Sequence, residues 1–221
     1  MTPRIANALE QLVEWSGIHL PDRGPIPLEQ YFTMVGLTCY GYPNLTRRQI
    51  GTRLIECGVR TSIVMDDTPL AGYVISFQSG RTMIFFRSSD PIPRQRFTLA
   101  HELGHFLLHR DENQAVWIRE ESEVSDERIE ASDLEPPAPG GRAETETVEQ
   151  EREANQFAAC LLVPESRVIR VLTPTREIPV PTHRYAVHQL MSECLVSYEM
   201  AHYRVQDVLK TSRIREESRR E

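Results

Sequence analysis

Cysteine is scarce and scattered: Cys39, Cys57, Cys160 and Cys194 form no C-x-x-C pair. That spacing argues against a disulfide framework or a thiolate zinc knot and fits reduced, buried thiols in a reducing cytosol. No apolar run approaches the ~20 residues needed to cross a bilayer. The opening MTPRIANALEQLVEW has no long apolar stretch behind a basic start, so neither a membrane span nor a secretion signal is expected. Positive charge is also short. The 221 residues carry a formal net charge of −7, which argues against direct nucleic-acid binding through phosphate contacts. A glycine-rich phosphate loop, a basic patch interleaved with aromatics and an internal repeat are all missing. What remains is an ordinary mixture, 40% apolar and 26% charged. It suits a cytoplasmic protein of one sizeable domain, or one domain with a small appendage.

Apolar residues at helical spacing predict a helix over 4–16, ended by Gly17, and a short one over 28–35, ended by Gly36. A third covers 46–57 with Gly58 behind it, and its Arg47, Arg48 and Arg53 read as a solvated face. Strand signals follow at 59–65, 71–77 and 81–87, separated by DDTP and QSG turns. The last two make a β-hairpin, and AVWI at 115–118 is a further short strand. Acids and the run PPAPGG dominate 120–145, which reads as a mobile insertion. A helix resumes at Thr147, where T-V-E-Q fits a capping box, and runs to about Val163 before Pro164. Two terminal helices, 184–194 and 197–210, precede a polar tail expected to fray. The fold class expected is α+β: a small antiparallel or mixed sheet packed on a central helix, with a C-terminal helical part. The division is 1–164 and 165–221.

That central helix carries RQRFTLAHELGHFLLH, residues 94–109. Ser89 or Asp90 is placed to cap it, with Pro91 and Pro93 in the first turn. His101-Glu102-Leu103-Gly104-His105 spells H-E-x-x-H, which on a helix sets two imidazoles one turn apart with a carboxylate beside them. Phe97, Ala100, His101, Gly104, His105 and Leu108 share one stripe, so both histidines face the interior. Gly104 costs about 1 kcal/mol as a helix former. Either something approaches the backbone there or two helices pack tightly.

A catalytic zinc takes three protein ligands and leaves one position for water. The helix after 147 offers a third ligand. Its inward stripe runs Val148, Glu151, Ala154, Asn155, Ala158, Leu161 and Leu162, and Glu149 and Glu153 lie about 200° of rotation from Glu151. A carboxylate in such a seam calls for a partner, and a metal is one; a helix N-terminal carboxylate favoured by the macrodipole is the alternative. Asn155 can hydrogen-bond a ligating imidazole. His109 can substitute as a ligand or close the helix C-terminus as a cation. His183, His188 and His202 read as core or surface histidines or as transition-state donors, and Cys160 as a buried thiol without a histidine partner.

RQRFTLAHELGHFLLH followed by EREANQFAACLLVP resembles the ImmA/IrrE family of bacterial and phage metallopeptidases, and LVSYEMAHYRV is similar to its terminal helix. The resemblance implies a gluzincin-like domain with Zn²⁺ on His101, His105 and Glu151 and with Glu102 as general base. It implies endopeptidase action on helix-turn-helix repressors, in mobile-element excision or stress response. The long acidic insertion departs from the family pattern, and no DNA-binding module is evident, so the repressor is a separate chain. The strand at 81–87 is the expected edge for an extended substrate. A module that binds a repressor without cutting it is the alternative.

Overall fold

In the computed structural model, residues 2–59, 63–111, 113–122 and 142–217 are described. Helix α1 (Pro3–Ser16) begins where Thr2 accepts from the Ile5 amide and proline occupies the first turn. It stops at Gly17, whose φ of 66° few other residues tolerate. Helix α2 (Leu28–Met34) leads through Gly36 into strand β1 (Leu37–Tyr42). Helix α3 (Arg47–Glu56) opens on a reciprocal capping box between Thr46 and Gln49. Its arginines take surface partners: Arg47 pairs with Asp66 and Glu120, Arg48 with Asp67, and Arg53 with Glu56. Strands β2 (Leu70–Phe77) and β3 (Thr82–Arg87) form the expected antiparallel hairpin. Next come helix α4 (Ile92–His109), strand β4 (Val116–Ser122), and helices α5 (Arg142–Leu162), α6 (Glu165–Leu172), α7 (His183–Cys194) and α8 (Tyr198–Glu217). The whole is α+β, a small mixed sheet with helices.

Sheet order is β1-β3-β2-β4, with β1 parallel to β3 and the other pairings antiparallel. Of the strand expected at 59–65, residues 60–62 lie outside the described residues, and 63–65 are irregular. Strands β1 and β2 take both edges of β3. The same pairing makes 81–87 an interior strand, not the exposed edge a substrate could join.

β2 is covered on both faces, and alternation sends its residues to two different cores. Val74, with Ile84 of β3, faces the larger core made with the helices; Tyr73 and Ile75, with Phe85, face the smaller one closed by Ile50 and Leu54 of α3. The larger core is continuous from Ile5 of α1 to Val208 of α8. Arg204 of α8 donates to Val163 O, one of the carbonyls left over at the end of α5.

Other boundaries shift as well. Helix α5 starts at Arg142, so Thr147 is helical interior, not a cap. Residues 120–122 belong to β4 and 142–145 to α5, leaving 123–141 of the expected insertion outside the described residues. Helix α6 was not anticipated, and α8 continues through 217, well into the tail expected to fray.

Helices α4 and α5 pack on each other at Gly104. A Cβ there would lie 3.0 Å from Phe157 Cδ1 and 3.3 Å from both Cα and O of Ala154. Tight helix packing therefore explains the glycine. Gly104→Ala gains about 1 kcal/mol of helix propensity but overpacks the seam by ~1–3 kcal/mol, for a net loss of about 1 kcal/mol. Urea unfolding measures it, and an unchanged midpoint would mean that the seam has slack.

Candidate metal centre

Helix α4 has no side-chain cap. Pro91 occupies the cap position, Asp90 takes an ion pair from Arg94, and Ser89 donates to Pro43 O. What fixes α4 is burial. His101, Glu102 and His105 are 2%, 0% and 1% exposed, with Ala100, Leu103 and Gly104 around them. On α5, Ala154, Ala158, Leu161 and Leu162 are buried as the stripe requires, whereas Val148 is exposed.

The two imidazoles meet at their tips, with Nε2 of His101 and Nε2 of His105 2.9 Å apart. Glu151 Oε2 lies 3.3 Å from the first and 3.4 Å from the second. These three side chains form a group able to hold a metal ion. The macrodipole alternative for Glu151 fails, because α5 begins at Arg142 and the effect fades within the first turn. Asn155 Oδ1 is 2.9 Å from His101 Nδ1, as expected of a support for that ring. An amide oxygen only accepts, so Nδ1 carries the hydrogen and Nε2 of neutral His101 presents a lone pair.

Two partners of the group had no signal in the sequence. Arg119 of β4 reaches Glu151 Oε1 with both Nε (3.2 Å) and Nη2 (2.7 Å), leaving Oε2 for the imidazoles. Glu153, expected off the inward face, is buried and lies 3.0 Å from His109 Nε2. His109 Nδ1 in turn lies 3.0 Å from His105 Nδ1, so His109 neither joins the donor group nor sits free at the helix end. His183 and His202 are in ring contact with each other, and Tyr198 lies between His202 and His188, all on α7 and α8. Cys160 is buried, and burial pushes its thiol up.

Charge follows from this packing. Burial pushes His105 down from 6.5 to about 3, against the opposing pull of Glu151. Burial also lowers His109, although Glu153 opposes it. For Glu151, burial acts to raise the carboxyl, but its close contacts with His101 and His105 outweigh that and hold the group ionised. A neutral His105 beside an ionised Glu151 is the pair of protonation states a divalent cation requires.

A pH dependence follows. The unfolded chain protonates His105 near 6.5, whereas the fold resists down to about 3. The neutral imidazole's contribution is therefore intact above about 6.5 and is lost as pH falls toward 3. His109 and Glu151, both lowered, act in the same direction. Metal-free protein should lose on the order of 3 kcal/mol of unfolding free energy between pH 7 and pH 4. Urea titrations across that range test it, and a flat profile would contradict it.

Two imidazoles and a carboxylate converging from adjacent helices, with a second glutamate inside the H-E-x-x-H, are the donor set of metal-dependent hydrolases. The profile of the IrrE N-terminal-like domain, Peptidase_M78, matches residues 60–134 and 140–206. The chain belongs to this family, which agrees with the resemblance carried by its two helical motifs and implies metallopeptidase activity. No curated protein matches it. No helix among the described residues is long and apolar enough to cross a membrane.

Proposed function

We propose that the protein is a zinc-dependent endopeptidase with a gluzincin-like site: His101, His105 and Glu151 as ligands and Glu102 as general base. The observation that carries this is the convergence of His101 Nε2, His105 Nε2 and Glu151 Oε2 within 2.9–3.4 Å of one another. Metal–nitrogen bonds of about 2.0–2.1 Å in a tetrahedron put neighbouring ligand atoms about 3.3 Å apart, so the spacing fits. Chemistry fits as well, since lone pairs and an anion drawn together need a cation among them.

When bound, the ion supplies Lewis acidity, polarising the scissile carbonyl and acidifying a water. The residues do the rest. Glu102 takes the water's proton and passes it to the leaving amine. Asn155 orients His101, and Arg119 holds Glu151 by one oxygen so that the other faces the imidazoles. Strand β4 replaces β3 as the docking edge for substrate. It stands at the end of the sheet order and carries Arg119, whose guanidinium touches Glu151, so a peptide paired along β4 runs past the site.

The substrate class is a helix-turn-helix repressor whose cleavage releases genes for mobile-element excision or stress response, in the cytoplasm. The experiment is incubation of the protein with the repressor encoded beside its gene, with and without chelator. A shortened repressor that appears only with metal supports the reading. A stable complex of intact chains in both arms would replace it with that of a non-cleaving binding module.

A further inference from the structure

The proposed chemistry leaves His109 without a task, yet its side chain is only 2% exposed. Its Nε2 lies 3.0 Å from Glu153 Oε2, and Arg4 Nη1 lies 2.7 Å from that same oxygen. Arg4 also donates to Leu108 O, which moors the guanidinium beside the end of α4. A carboxylate paired with a guanidinium is ionised and only accepts, so His109 Nε2 carries the hydrogen. An imidazole that gives its one hydrogen from Nε2 has a bare Nδ1. That atom is 3.0 Å from His105 Nδ1. His105 must therefore donate there, which leaves its own Nε2 bare and directed at His101 and Glu151.

We propose that Arg4, Glu153 and His109 form a relay that fixes the tautomer of His105, with His109 as a positioning residue for the metal centre. The inference rests on the reading of His105 as a ligand. A ligating imidazole ordinarily gives its second N–H to a carboxylate, a carbonyl or water. His101 follows that pattern with the Asn155 amide oxygen. For His105 an imidazole one helical turn on is interposed, and it carries the influence of Glu153 across from α5. The two ligating rings thus take their orientation from two residues of the same helix, Asn155 and Glu153.

The test uses the full chain labelled with ¹⁵N at histidine. In metal-free protein, His105 should show a single tautomer with hydrogen on Nδ1. His109→Leu removes the acceptor; hydrogen should shift toward Nε2 of His105, and Zn²⁺ affinity by chelator competition should fall roughly 10–100-fold. His109→Asn places an amide oxygen near the position of Nδ1 and should restore both readouts, which a purely space-filling role would not predict. Glu153→Gln keeps the ring but lets His109 turn its hydrogen pattern round, so mixed His105 tautomers are expected even if His109→Leu folds poorly. An unchanged His105 tautomer in Glu153→Gln, or His109→Asn as impaired as His109→Leu, would overturn the relay. Absence of Zn²⁺ binding by the unsubstituted protein would overturn the metal reading instead, and the metal-free spectra would still decide the relay.

Discussion

Glu102→Gln should retain its metal and lose its peptidase activity. Glu102 lies beside His101 on α4 and is wholly buried, 0% exposed. Its neighbours on the helix, His101 and Leu103, are buried too, so an amide of the same size fits without opening a cavity. The substitution removes one capacity, that of accepting a proton from water and returning it to the leaving amine. General acid–base catalysis of this kind contributes typically 10²–10⁴-fold, and cleavage should slow by about that factor. Metal content by elemental analysis should match the unsubstituted protein, because the three donor atoms are untouched. A Glu102→Gln protein that cuts at the normal rate would refute the assignment. One that loses metal as well would show that Glu102 shapes the site itself.

The sequence shows α4 and the donor group plainly because both depend on local periodicity. A strict i, i+4 pair on an apolar stripe leaves the two imidazoles no outward option, and the same counting separates Glu151 from Glu149. It fails at Glu153 for a physical reason. Helix α5 lies against α4 on one face and against α1 on another, and Glu153 points between Arg4 and His109. A single inward stripe cannot represent a helix with two covered faces. Arg119 is invisible for a similar reason: its importance lies in a contact 32 positions along the chain, and nothing local announces it.

Strand β1 was missed for another reason. Its LTCYGY contains a glycine, and only Leu37 of it is buried. Parallel docking of β1 on β3, Leu37 opposite Thr82 through Tyr42 opposite Arg87, is a non-local choice that propensity does not encode. The capping-box match at Thr147 shows the opposite weakness, a local pattern short enough to recur inside a helix that began earlier.

Glu151→Ala carries the second large effect, loss of the metal itself. The carboxylate brings the only negative charge to a group whose other two members are imidazoles. Its removal takes away one of three donors and leaves the Arg119 guanidinium, now without that partner, close to the vacated position. Lost charge and an unbalanced cation act in the same direction. Zn²⁺ affinity should fall by more than the roughly 100-fold that changes around a ligand produce. Thermal unfolding provides an independent readout. Zn²⁺ at about 100 times its Kd stabilises the unsubstituted protein by about 2.7 kcal/mol, and the variant at the same concentration should gain almost nothing. Double substitution with Arg119→Ala separates the two contributions: affinity recovers in part if the bare guanidinium repels the ion, and stays low if the missing donor dominates. Undiminished zinc in Glu151→Ala would mean that another side chain completes the site, and the convergence at 3.3 and 3.4 Å would then be an ordinary buried His–Glu contact.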